Sequence, residues 1–197
     1  MRPAIAAVGL AIAVVAVGAA RRSTAEGPQD RGRGWKAFLE VASVLQSPRC
    51  LGCHVPGDTP LQGDDGRVHA MNVKRGVDGR GTPALRCTAC HQAENSELAH
   101  APPGAPDWRL PPPNMKMAWL GLRPDALCES LKDPARNGGM TLAALEEHLR
   151  RDPLVGWGFN PGPGRQPPRL SRADFVARFV EWKDAGAPCG PAPKETR

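Results

Sequence analysis

Apolar residues recur at three- and four-residue spacing in four stretches of this chain, and each stretch is bounded by helix signals. In "WKAFLEVASVLQ", residues 35 to 46, Trp35, Phe38, Leu39, Ala42 and Leu45 fall on one face, and Pro48 stops the run. A second helix is expected from Pro124 to Lys132. A third runs from Thr141, a hydroxyl N-cap, to about Arg151, with Leu142, Leu145 and Leu149 on one side. Ser171 and Asp174 open the last, which carries Phe175, Val176, Phe179 and Trp182 inward and ends at Gly186. Between these helices the pattern fails. Residues 55 to 86 are rich in Gly, Asp and Pro, residues 101 to 114 ("APPGAPDWRLPPPN") are closed to helix by their prolines, and "WGFNPGPGRQPP", residues 157 to 168, reads as loop. No stretch alternates convincingly with a period of two, so the expected fold is all-α and loop-rich.

The N-terminus stands apart. Residues 4 to 20, "AIAAVGLAIAVVAVGAA", are an unbroken apolar run behind Arg2, with small residues at Ala19, Ala20 and Ala25. This is the pattern of a secretory signal peptide over residues 1–25, with an uncleaved membrane anchor as the alternative. Residues 26–34 then form a polar linker, residues 35–190 the folded domain, and residues 191–197 a tail. Export to the periplasm puts the six cysteines in a compartment where free thiols become disulfides unless other chemistry consumes them.

Charge changes the picture little. Losing residues 1–25 takes Arg2, Arg21 and Arg22 from the 26 basic side chains and leaves 23 against 20 acidic ones, a surplus too small to suggest nucleic acid as a partner. Composition changes it more. The chain has 22 Gly, 22 Pro, four Phe and no Tyr, and such a sequence has few large side chains with which to offset its ordering entropy. A large apolar cofactor would supply the missing core.

Two pentapeptides name that cofactor. "CLGCH" occupies residues 50–54 and "CTACH" residues 87–91, so four of six cysteines and two of five histidines lie in one motif written twice. C-x-x-C-H is the attachment sequence of c-type haem: the two thiols add to the porphyrin's vinyl groups and the histidine meets the iron. Cys50, Cys53 and His54, with Cys87, Cys90 and His91, are thus expected to hold two covalent haem c groups. A zinc ribbon would not need a histidine after both pairs, and 33 residues between Cys53 and Cys87 exceed its usual spacing. A thioredoxin-like pair would occur once. The leftover cysteines, Cys128 and Cys189, are expected to form one disulfide between the 124–132 helix and the segment after the last helix. Arg75, Arg80, Arg86 and Arg109 lie in the loops nearest the motifs and are candidates to meet the haem propionates.

Each iron then has one face to fill, by His or Met. The remaining histidines are His69, His100 and His148, and the methionines beyond the leader are Met71, Met115, Met117 and Met140. His69 lies in the loop between the motifs, and Met117 in "PPPNMKMAW" follows a rigid proline stretch beside Trp119, with Met115 competing. His69 and Met117 are the preferred metal ligands; spacing does not say which serves which iron.

With these residues in view, the chain resembles bacterial dihaem c-type cytochromes. "LCESLKDPARNGG", "WGFNPGPGR" and "DAGAPC" are similar to a group of exported dihaem cytochromes, some labelled isoquinoline 1-oxidoreductase subunits, over about Pro48 to Cys189. The resemblance implies electron transfer with a redox protein partner, a molybdenum hydroxylase among the choices, and it implies His and Met at positions 69 and 117. A weaker resemblance is to the small dihaem subunit of periplasmic nitrate reductase, in which a histidine some eighteen residues before a motif ligates that same haem. His69 stands at that distance from Cys87, which would give His69 to the second haem and Met117 to the first. Those subunits use histidine on both irons, whereas here no histidine precedes the first motif.

The expected function is a periplasmic dihaem electron carrier between a redox enzyme and the respiratory chain, not itself an enzyme and without catalytic residues. The alternatives are a small peroxidase-like haem enzyme with one open iron, and a haem-based sensor.

Overall fold

The computed structural model describes residues 28–191; the signal-peptide segment lies outside the described residues, as do residues 192–197 of the tail. Six α-helices are present among the described residues: α1 Pro28–Leu45, α2 Pro48–Leu51, α3 Pro124–Lys132, α4 Leu142–Arg151, α5 Pro153–Phe159 and α6 Arg172–Asp184. Helices and loops dominate, as the sequence pattern requires.

α3, α4 and α6 lie where the apolar periodicity puts them. Thr141 caps α4 by accepting from the Ala144 N–H, and Ser171 caps α6 by accepting from the Asp174 N–H. α1 differs. It begins at Pro28, so most of the stretch read as a polar linker is helical. Gly34 within it is a packing residue: a Cβ there would stand 2.7 Å from the Ala185 Cβ and 3.0 Å from Pro188, so only glycine lets α1 lie this close to the end of α6. The loop read into residues 157–168 also starts late. α5 runs through Phe159, opened by Asp152, whose carboxylate accepts from the Leu154 and Val155 N–H groups, with Pro153 in the first turn.

α1 packs on α6 and α3, and α4 packs on α6 and α5. Their shared core holds Phe38, Val41, Val44, Leu127, Phe175, Phe179 and Trp182, and Phe159 packs against it, so all four phenylalanines of the chain serve this one cluster. Phe38 and Phe179 both pack on Trp182, with ring centroids 4.9 and 5.3 Å away, and the buried Trp182 N–H donates to the Pro188 carbonyl at 3.1 Å. Cys128 and Cys189 are joined, as expected, across 61 positions of sequence, clamping α3 to the segment that follows α6. The helical half therefore has a protein core of its own.

Residues 52 to 123 have almost no regular structure. Two minimal antiparallel ladders interrupt the loop between the motifs, β1 Leu61–Gln62 with β2 Arg67–Val68 and β3 Gly81–Thr82 with β4 Leu85–Arg86. Pairs of two residues leave no periodicity to read. Order here comes from side chains reaching main-chain carbonyls. Arg75, fully buried, donates to the carbonyls of Val55 (3.2 Å), Gly57 (3.0 Å) and Pro111. No described helix is long and apolar enough to cross a membrane.

Candidate functional site

Local sequence shapes both pentapeptides into tight turns. Pro48 starts α2, and the His54 N–H donates to the Cys50 carbonyl at 3.1 Å; in the second motif the His91 N–H donates to the Cys87 carbonyl at 2.9 Å. In each motif this coil gathers two thiols and one imidazole over a single turn. The two motifs approach one another closely enough that a charge on Cys87 would raise the Cys53 thiol.

Beyond the turn, the same construction is built twice. His54 Nδ1 lies 2.9 Å from the Met117 carbonyl oxygen, and His91 Nδ1 lies 2.7 Å from that of Pro103. A carbonyl can only accept, so Nδ1 carries the proton in each ring and Nε2 presents its lone pair. Each ring is also backed by an indole: His54 stacks on Trp119 at 3.5 Å, within 8° of parallel, and His91 on Trp108 at 4.2 Å, within 4°. Burial pushes His54 down to about 4 and lowers His91 as well, so both imidazoles are neutral at pH 7, the form that binds a metal. An imidazole with a fixed tautomer, a fixed plane and Nε2 free is arranged as a metal ligand.

The segments that complete these sites are shaped for close approach. Met117 has a left-handed backbone (φ 46°), which helps set the direction of its carbonyl. Beside Pro103, a side chain on Gly104 would run into the Glu94 and Gln92 carbonyls, and its N–H donates to the Asn95 side chain at 3.1 Å. Asn95 also accepts from the Trp157 indole at 3.2 Å and donates to the Asn160 carbonyl at 2.9 Å, joining the loop after the second motif to α5.

A cavity of about 550 Å³ opens against the second motif and lies within the size range of cofactor pockets. Cys87, Cys90, His91 and His69 line it, together with Cys53 of the first motif. The His69 ring stands with its centroid 6.1 Å from that of His91, the planes 61° apart. Its Nδ1 is engaged by the Ala70 carbonyl at 2.9 Å, which again leaves Nε2 free.

No protein-family model, curated protein or solved structure matches this chain. Its geometry and donor set must carry the reading. Among the described residues no three His, Cys, Asp or Glu side chains gather around a single metal-sized point, which is the arrangement that a zinc ribbon would require. Cys50, Cys53, Cys87 and Cys90 are unpaired thiols. Burial is the main cause raising the first two, to about 11 and about 12, and it raises Cys87.

The other sequence candidates are placed as follows. Met117 lies with its carbonyl on the Nδ1 side of His54, and its sulfur is gathered with Met115 and Met140 around Gly138. His148 is on α4, 3.5 Å from the Asp152 carboxylate. His100 lines the cavity beside Gly164. Of the arginines proposed for propionates, Arg75 is spent on carbonyls, Arg80 pairs with Asp107, Arg86 with Asp78 at 2.8 Å and Arg109 with Asp152 at 3.4 Å. Trp108, Asn95, Arg49 and Arg165 are site residues that were not among the sequence candidates. A tryptophan in a proline-rich loop, with no apolar face to join, was the available signal for Trp108.

Proposed function

We propose that this chain is an exported dihaem c-type cytochrome that carries electrons between a redox enzyme and the respiratory chain. The observation that carries the reading is the recurrence of one arrangement: at each C-x-x-C-H motif the histidine donates Nδ1–H to a carbonyl, stacks on a tryptophan and leaves Nε2 free. A disulfide or redox pair has no use for such a histidine. The residues fit the group: Cys50 and Cys53 would hold one haem with His54, and Cys87 and Cys90 the other with His91. Each haem, when bound, supplies one-electron chemistry.

The protein's own part is to set ligands, burial and access. His69 is the further residue we assign to the second haem, which it would help hold, because it lines the same cavity as His91 with its ring 6.1 Å from that of His91. Met117 we assign to the first site through its carbonyl, since its main chain lies behind His54, away from Nε2. The thiols of the first motif are more deeply enclosed than Cys90, which is exposed. Such a difference in burial would give two bound haems different potentials, and the exposed Cys90 would leave the second the more open to a partner. The partner is a redox protein, with a molybdenum hydroxylase the choice that the sequence resemblance favours, and the location is the periplasm.

The test is a spectroscopic redox titration of the full chain from a cytochrome-maturing host, after its mass has been measured. Two haems per chain and two distinct midpoints are expected. His69→Ala should turn one haem high-spin and shift that midpoint alone. A chain whose mass is that of bare polypeptide would remove the proposal, and carbon monoxide binding fully to one haem of the reduced protein would favour the peroxidase-like alternative.

A further inference from the structure

The wall of the second motif's cavity carries a cationic pair that the attachment chemistry does not use. Arg49 sits on α2, one residue before Cys50, yet it lines this cavity, with a side chain only 4% exposed. One of its Nη atoms donates to the Gly63 carbonyl at 3.0 Å and to Asp64, while its Nε is buried without a partner. Arg165, from the loop after α5, lines the same cavity and donates to the carbonyls of Ala101, Pro161 (3.3 Å) and Pro163 (3.4 Å). Among the described residues it has no carboxylate within salt-bridge distance. The other two arginines of the wall are matched, Arg67 by Asp65 at 3.2 Å and Arg86 by Asp78 at 2.8 Å.

Charge and orphaned donor point the same way. Burial and the nearby Arg49 both disfavour the charge on Arg165, which Asp64, 42% exposed and paired with Arg49, favours. Two neighbouring guanidiniums that share one half-exposed carboxylate cost free energy until a further anion offsets their charge. Planar guanidiniums suit carboxylates in particular.

We propose that Arg49 and Arg165 form a carboxylate site in this cavity and hold the propionate groups of the second haem. Arg49 then links the two motifs physically, because the helix that presents Cys50 also supplies the anion site of the neighbouring cofactor. The inference rests on the dihaem reading and refines it.

The test uses the matured full-length protein and the variants Arg49→Leu, Arg165→Leu and Arg49→Lys. Removing a positive charge beside a haem disfavours the reduced state. Each leucine variant should therefore lower the reduction equilibrium constant of the His69-dependent haem about tenfold, which is 59 mV for one electron. The propionate-bending band in the resonance Raman spectrum should shift with it, and Arg49→Lys should keep the midpoint near wild type. Unchanged midpoints and an unchanged propionate band in both leucine variants, with two haems per chain, would overturn the proposal. Should Arg49→Leu fail to fold, Arg165→Leu decides, since its partners are loop carbonyls. A wild-type chain that carries no haem overturns the electron-carrier reading as well, and its mass shows this before any variant is made.

Discussion

The two pentapeptides are nearly the same sequence in two different kinds of surroundings. The first is coiled onto α2, and Cys50 packs against the core of α1, α3 and α6. The second emerges from the β3–β4 ladder into loops, with Cys90 exposed and the neighbouring cavity bounded largely by loop residues. Five residues thus suffice to gather two thiols and an imidazole over one turn. What surrounds those five sets burial, tautomer and access, and that comes from residues as distant as Met117, which serves a histidine 63 positions earlier.

The strongest way to break this contrast is to remove each attachment site in turn. Cys87→Ala with Cys90→Ala should remove half the haem and leave the far-ultraviolet circular dichroism of the helices nearly unchanged. Cys50→Ala with Cys53→Ala should remove the other half and also lower the melting temperature, because Cys50 packs against the helical core. Equal melting in the two double variants would mean that the core does not belong to the first site in particular.

Opening the disulfide probes the same contrast from the helical side. Cys128→Ala with Cys189→Ala releases a loop closed across 61 positions, an effect of ~4 kcal/mol in the chain-entropy model. Over a domain of this size that corresponds to a fall of roughly 8–16 °C in melting temperature. The midpoint of the His69-dependent haem should stay put, since neither cysteine lines its cavity. Movement of that midpoint would show that the two halves are mechanically coupled.

How much of this was legible in the sequence follows the same division. α3, α4 and α6 were readable to within a residue or two because apolar periodicity and side-chain caps agree there. The disulfide was readable because cysteine arithmetic depends on residue identity and not on conformation. α1 began seven residues earlier than its apolar face announced, since Gly32 and Gly34 look like linker until Ala185 and Pro188 are seen against the second of them. α5 was hidden by its glycines, although Asp152 and Pro153 marked its start. Which indole backs which histidine, and which carbonyl orients it, could not be read. Any of five tryptophans could stack, every residue has a carbonyl, and the contacts span loops with no period.

The indoles offer a smaller test. Trp119 is 8% exposed and belongs to the core cluster, while Trp108 is half-buried among loops. Trp119→Ala should cost about 3–5 kcal/mol of stability to chemical denaturant, in the range of large core truncations. Trp108→Ala should cost less, about 1–2 kcal/mol, and broaden the signal of the second haem as its imidazole loses a fixed plane. Reversal of that order would place the structural centre of the protein at the second site.

The smallest effect is expected at Met117, and it sharpens the assignment most. Met117→Leu keeps the main-chain carbonyl that accepts from His54 and nearly conserves volume, so stability should change by less than about 1.5 kcal/mol. If the residue acts through its carbonyl, the oxidised spectrum and both midpoints are unaffected. If instead its sulfur reaches the first iron, the substitution removes the thioether and with it any sulfur-to-iron charge-transfer absorption at the red end of the spectrum, and that haem falls in potential or becomes high-spin. The two roles make opposite demands on one geometry. The Met117 carbonyl lies on the Nδ1 side of His54, away from the Nε2 that would hold an iron, so a lost absorption band would require the 115–119 loop to rebuild when haem is attached.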